Sequence, residues 1–234
     1  MKSPAQRHYE RVSAEQAAAS AAPGGSLAGA SVYELMLAKL ASDRRRLKSI
    51  ASIERKIEVK RAELLPEYVD YVAGALAGGR GAQDDVLTTM LIWRIDTGDY
   101  TGALDIARYA LTHRMTLPDQ YDRPIATAIA EEFADAALSE IKRGGTLSGM
   151  SGAQLDEVAQ LTGSADMHDQ VRAKLHKALG YIAEKGGDSK AALEHLRRAF
   201  ELDSRAGVKQ DIARLEKASI AAGDSDTNDT ADRT

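Results

Sequence analysis

The chain has no cysteine. Disulfides and thiolate-held metal sites are therefore excluded, and a reducing compartment is expected. No apolar run approaches the ~18 residues that a membrane span requires, so no membrane partner is expected. The N-terminal stretch MKSPAQRHYERVSAEQAAASAAPGGS lacks the apolar centre of a secretory leader. Aromatic residues make up only 5% of 234, while Ala and Leu are abundant. That composition leans towards helix, and no segment reads convincingly as a strand. The glycines of GGRGAQDD (78–85) are not followed by Gly-Lys-Ser/Thr, so an ATPase phosphate-binding loop is excluded. The hydrophobic content of 44% is still enough for a core in one or two domains.

What is present is unevenly placed. The chain is acidic overall, at net -4, yet residues 1–61 carry net +6 and the remainder net -10. Most of the Lys and Arg of residues 1–61 lie in DRRRLKSIASIERKIEVKR, Asp43 to Arg61, which has eight of them and three acids. Such asymmetry points to a polyanion partner. A solvated, salt-bridged helix face is the alternative, and composition does not separate the two.

Periodicity divides the chain into four parts. Residues 1–30 read as a flexible basic arm that ends in the breaker cluster AAPGGS. Residues 31–80 read as one long helix from Ser31 to Leu65, then a short apolar helix stopped by Gly78 and Gly79. Ser31 and Glu34 have the spacing of a capping box. Met36, Leu40, Leu47, Ile50, Ile57 and Leu64 follow a near-heptad register, broken by the polar residues Asp43, Glu54 and Arg61. Leu40, Leu47, Ile50, Ile57 and Leu64 are thus candidates for an oligomerisation seam. Residues 81–218 read as a helical-hairpin domain, and 219–234 as a disordered acidic tail.

Two stretches of the third part have the same design. DDVLTTMLIWRIDTGDYTGALDIARYALTHRM predicts two helices joined by DTGD, and VRAKLHKALGYIAEKGGDSKAALEHLRRAFELD predicts two joined by KGGD. Small residues recur at Ala103, Ala107 and Ala110, and at Ala192 and Ala199 around Leu196. This pattern, with the Leu179-Gly180 step, resembles the tetratricopeptide helix pair, though as isolated hairpins rather than a tandem array. The fold expected is all-α: a long basic N-terminal helix followed by tetratricopeptide-like hairpins.

Candidate catalytic groups have bland explanations. Asp84 and Asp85 stand where a helix begins, Asp96 and Asp99 flank a hairpin turn, and Glu131, Glu132 and Asp135 fit a solvated helix face. Glu58 to Lys60 (EVK) resembles half of a nuclease motif that needs a strand, and on a helix its side chains point apart. None of His8, His113, His168, His176 and His195 forms an i, i+4 pair. No catalytic residue and no metal ligand is therefore assigned, and no cofactor is expected; Mg²⁺ would enter only through an endonuclease reading. Trp93 and Phe200 are expected in the core. Nucleic-acid contact is the best chemical reading, since phosphates need Lys and Arg in bulk. Its candidates are Lys2, Arg7 and Arg11 on the arm, and Arg44, Arg45, Arg46, Lys48, Arg55 and Lys56 on the long helix.

Several stretches converge on one family. SPAQRHYERVSA, YELMLAKLASDRRRLKSI, ELLP, GAQDDVLTTMLIWRIDTGDYTGALDIARYAL, ADMHDQVRAKLHKALGYIAEKGGD and AGVKQDIARLEK occur in this order from Ser3 to Lys217. Together they resemble the small terminase subunit of temperate contractile-tailed phages, the coliphage type also labelled terminase endonuclease subunit. The resemblance implies a homo-oligomer in the host cytoplasm that binds the viral packaging site. It also implies recruitment of a terminase large subunit, whose ATPase motor fits the missing phosphate loop here. The endonuclease label is an alternative implication, as is an adaptor without DNA contact. Relatives can carry a long, basic, Pro-rich tail; the tail here is short and acidic, which shifts weight to the N-terminal part.

Overall fold

The computed structural model describes residues 2–119, 121–144 and 149–228. Among them are eleven α-helices and no strand, so the fold is all-α. The chain divides into two compact units, Met1–Glu132 and Phe133–Thr234.

The first unit opens with α1 (Pro4–Ser20). Ser3 accepts from the Gln6 amide at 3.2 Å, the Gln6 side chain accepts from the Ser3 amide at 2.8 Å, and Pro4 takes the first helical position. That is a complete capping box. α1 packs on α4 (Val69–Gly78) by small residues on both sides. Ala14 and Ala18 are buried, and a Cβ at Gly74 would stand 2.1 Å from the Arg11 carbonyl oxygen; at Gly78 it would stand 2.2 Å from that of Glu15. Residues 4–20 are thus a docked helix where the sequence suggests a flexible arm. The Ala-rich segment reads as low complexity because its complement, the two glycines, lies some sixty residues away.

The expected single helix from Ser31 to Leu65 is broken. α2 spans Ser31–Lys48 and α3 spans Ile53–Val59; a π-turn (Lys60–Leu64) and a 3₁₀ turn (Leu65–Glu67) follow, the latter containing Pro66. Two serines account for the break. The Ser49 hydroxyl donates to the Arg46 carbonyl at 2.7 Å, and Ser52 caps α3 by accepting from the Arg55 amide at 3.2 Å. Serines bonded to the backbone in this way compete with a continuous helical ladder. The cap of α2 also differs from expectation: Ala30 holds the N-cap position, and Glu34 instead accepts from the Gly29 amide at 3.2 Å.

The near-heptad seam points inward. Leu40, Leu47 and Leu64 are 1%, 7% and 2% exposed, and Ile50 and Ile57 are half-buried. Even the polar interruption Asp43 is buried, accepting from Tyr68 Oη at 2.7 Å and Lys39 Nζ at 3.0 Å. These leucines belong to the core of the chain itself and are not free for a seam between copies.

α5 (Asp85–Thr97) is the central helix of this unit, with ten of thirteen residues buried. A helix apolar all round must be covered on every side. α6 (Tyr100–Thr112) returns along it after Gly98, which adopts φ 79°, and Asp99 caps it by accepting from the Gly102 amide at 3.1 Å. Ala103, Ala107 and Ala110 are fully buried in this hairpin.

The boundary between units falls within α7 (Ile125–Lys142). The second unit continues with α8 (Gly152–Thr162), α9 (Asp169–Lys185), α10 (Ser189–Leu202) and α11 (Lys209–Asn228). At the α9–α10 hairpin a Cβ on Gly180 would stand 2.7 Å from Leu196 Cδ2, and Ala192, Leu196 and Ala199 are fully buried. Val208 and Leu215 complete this core. Phe200, expected inside, is 36% exposed. The acidic tail expected to be disordered from residue 219 begins as the end of α11; residues 229–234 lie outside the described ones.

Candidate nucleic-acid interface

The break at 49–52 has a consequence for the surface. It places cations of α3 and the π-turn around the same cleft as those of α2. The cleft holds about 300 Å³ and is lined by Arg44, Leu47, Lys48, Lys56, Lys60, Trp93 and Tyr121. On its floor are Leu47 and Trp93, the latter 3% exposed; four cations surround them.

Each cation has its own setting. Arg44 donates to Thr89 Oγ1 at 2.6 Å, and that hydroxyl donates onward to the Asp85 carbonyl, so the guanidinium is held in place by a neutral partner. Lys60 Nζ lies 2.5 Å from Asp96 Oδ2 and 5.7 Å over the Trp93 ring. The indole is fixed in turn by an edge-on contact with Tyr68 at 6.2 Å, and Lys39 lies 5.0 Å over the Tyr68 ring. Lys48 and Lys56 make no ion pair among the described residues. Two cations without acids, a third bound to a hydroxyl and a fourth shared with Asp96 leave the rim net positive. Charges of one sign gathered around one cleft favour an anionic partner.

The candidates from the sequence separate into two groups. Arg44, Lys48 and Lys56 meet at the cleft, and Arg45 is exposed on α2 without an ion pair among the described residues. The others are engaged. Lys2 pairs with Glu10 at 2.6 Å and donates to the Glu67 carbonyl, and Arg7 pairs with Asp70 at 2.8 Å. The Asp70 hydrogen bond raises the Arg7 pKa. Arg46 pairs with Glu63, and Arg55 pairs with Glu58 at 2.5 Å one turn along α3. Arg11 is exposed on α1, but its backbone lies against Gly74, which fixes it to the fold. Sequence reasoning missed Lys60, Trp93 and Tyr121 as members of the site. For Lys60 a signal existed, since it repeats Lys56 at i+4; for Tyr121 there was none.

The acids are committed elsewhere. Asp84 is buried, accepts from Tyr71 Oη at 2.7 Å and caps α5 through the Leu87 amide at 2.8 Å; burial pushes its carboxyl up to about 6. Asp96 pairs with Lys60, Asp99 caps α6, and Glu131 and Glu132 both engage Arg123. Asp135 lies 3.1 Å from Lys174 Nζ. Among the described residues no group of three or more His, Asp or Glu is placed to hold a metal ion. One pairing was invisible in the sequence: His176 Nδ1 and His195 Nδ1 stand 3.1 Å apart across the α9–α10 hairpin. Burial, with His195 second, lowers the His176 pKa to about 4.

Fold and site define an all-helical protein with a cation-lined cleft in its first unit. The family follows from comparison. The family model of the phage small terminase subunit matches residues 37–170, and this chain belongs to that family. It is 50% identical over 218 residues to the "Terminase, endonuclease subunit" of Escherichia phage P2, covering 93% of this chain and 85% of the relative. It is 23% identical over 212 residues to the "Probable terminase, endonuclease subunit" of Haemophilus phage HP1 (strain HP1c1), covering 84% and 74%. No solved structure matches the chain. No helix among the described residues is long and apolar enough to cross a membrane.

Proposed function

We propose that this small terminase subunit binds double-stranded viral DNA at the packaging site, as a homo-oligomer, and recruits the ATPase large subunit. The observation that carries DNA contact is the convergence of Arg44, Lys48, Lys56 and Lys60 on one cleft, with Lys48 and Lys56 unpaired among the described residues. A duplex releases counterions for each phosphate neutralised, so such contacts are read from salt dependence. Arg45 extends the same face. Arg46 and Arg55, with acids beside them, contribute less.

Oligomerisation uses surface that the protomer leaves open. The buried leucines are excluded from that role, and the exposed large hydrophobic residues of this unit, among the described ones, are Tyr9, Leu35, Ile53 and Val69. Several copies would multiply weak phosphate contacts into avidity.

The relatives' printed names favour a second reading, cleavage of DNA by this subunit. The acids here serve as caps and ion-pair partners, which supports the binding role instead. Purified protein incubated with Mg²⁺ or Mn²⁺ and cohesive-end DNA separates the two readings, since strand scission would establish the second.

The test of the first is DNA affinity across a salt series, with mass measured in the same samples. The variant Lys48→Gln with Lys56→Gln is expected to flatten the slope of log K against log salt by about two. A slope equal to that of the unaltered protein would sink the assignment.

A further inference from the structure

We infer that the cleft takes an unpaired, phosphate-bearing nucleotide of a DNA strand; this rests on the DNA-binding reading above. Contact with an intact duplex needs only exposed cations, because the phosphates lie outside and the bases are paired within. This site has more than that. Between its cations is a hollow of about 300 Å³ floored by Leu47 and Trp93 and walled by Tyr121. That is the small end of ligand-pocket size, room for one nucleotide and too little for a run of duplex.

The two chemistries of the cleft match the two halves of one ligand. Lys48 and Lys56, free of acids among the described residues, suit a phosphate at the rim. The apolar floor and the aromatic wall suit a flat base whose pairing edge is not held by a partner strand. Such contacts tolerate any base, since every base has a π-face. The site is also preorganised. Arg44 is held by Thr89, and Trp93 is held between Lys60 and Tyr68, so little order must be created on binding. The strand must be frayed, gapped or overhanging where it enters.

Trp93 is the single tryptophan of the chain, so its emission reports the floor of this cleft. Full-length protein is titrated with a blunt duplex, with the same duplex carrying a 5′-phosphorylated single-stranded overhang, and with a deoxynucleoside monophosphate. The overhang is expected to bind about tenfold more tightly than the blunt duplex, as one stacked base can supply, and to change the Trp93 emission. Lys48→Gln with Lys56→Gln is expected to close the gap between the two DNAs while the thermal midpoint stays in place. Equal affinity for both DNAs, with no Trp93 response, overturns the inference and leaves duplex binding intact. Failure of both DNAs to bind overturns the DNA-binding reading as well. Saturation of the Trp93 signal by the monophosphate at the concentration the overhang needs overturns the strand-end assignment in favour of a free-nucleotide site.

Discussion

Asp84 shows how one side chain can serve structure at an electrostatic cost. It caps the central helix and receives the Tyr71 hydroxyl, yet burial raises its pKa from 3.8 to about 6. A carboxyl whose folded pKa is raised stabilises fully below the unfolded value and loses that contribution as pH climbs through the folded one. Unit 1 is therefore expected to weaken between pH 3.8 and 6, by about 3 kcal/mol at full amplitude. Denaturant midpoints followed by Trp93 emission measure this unit. Asp84→Asn, which keeps a capping oxygen, should abolish the pH dependence. Asp84→Ala should cost about 1–3 kcal/mol at any pH, because the Tyr71 hydroxyl and the cap are both left unmet. His176 acts in the opposite sense in unit 2. Its pKa is lowered from 6.5 to about 4, so its contribution is present above pH 6.5 and is lost as pH falls through 4. Helical signals without tryptophan should record that loss, and His176→Gln should remove it.

At the scale of elements, the docking of α1 rests on absent atoms. Gly74 and Gly78 let the α1 backbone approach so closely that a Cβ would meet carbonyl oxygen. Gly74→Val is expected to cost about 1–3 kcal/mol and to undock α1, since backbone cannot yield as a side chain can. Amide exchange over residues 4–20 checks this; protection equal to that of the unaltered protein would contradict the packing described. The α2–α3 break is a second element-scale feature. Both serines that make it are visible in the sequence, at 49 and 52, but they sit inside an apolar register that argues for continuity. The register correctly marks buried positions and misleads about what buries them. Leu40 and Leu47 are buried within their own unit, where α1 and α5 pack on α2, a local cover that no count of heptads reveals.

For the whole molecule, the distinction between core and surface separates residues that hold the chain's own fold from those left open to a partner. Leu40→Ala is expected to lower protomer stability by about 2–5 kcal/mol, the cost of a buried leucine. Ile53, 75% exposed, should cost the fold almost nothing when changed to Asp, yet reduce the assembled mass if the open surface of α3 joins copies. Light scattering beside thermal unfolding reads both effects. A loss of mass in the Leu40 variant while its fold stays intact would restore the heptad seam.

Much was legible in the order of residues. Helix-forming composition, Gly98 and Asp99 at one turn, Gly187 and Asp188 at another, and alanines at helical spacing are local signals, and local signals dictate an all-helical hairpin fold. The charge excess of residues 43–61 was equally plain. Which of those charges are available was not, because ion pairing depends on neighbours distant in the chain. Arg7 meets Asp70, Arg46 meets Glu63 and Lys60 meets Asp96, at separations of 17 to 63 residues. The cleft itself required a helix break, a tryptophan from the central helix and a tyrosine from the loop between α6 and α7. Helices arise from bonds between near neighbours, whereas a site arises from packing among residues that the chain holds far apart.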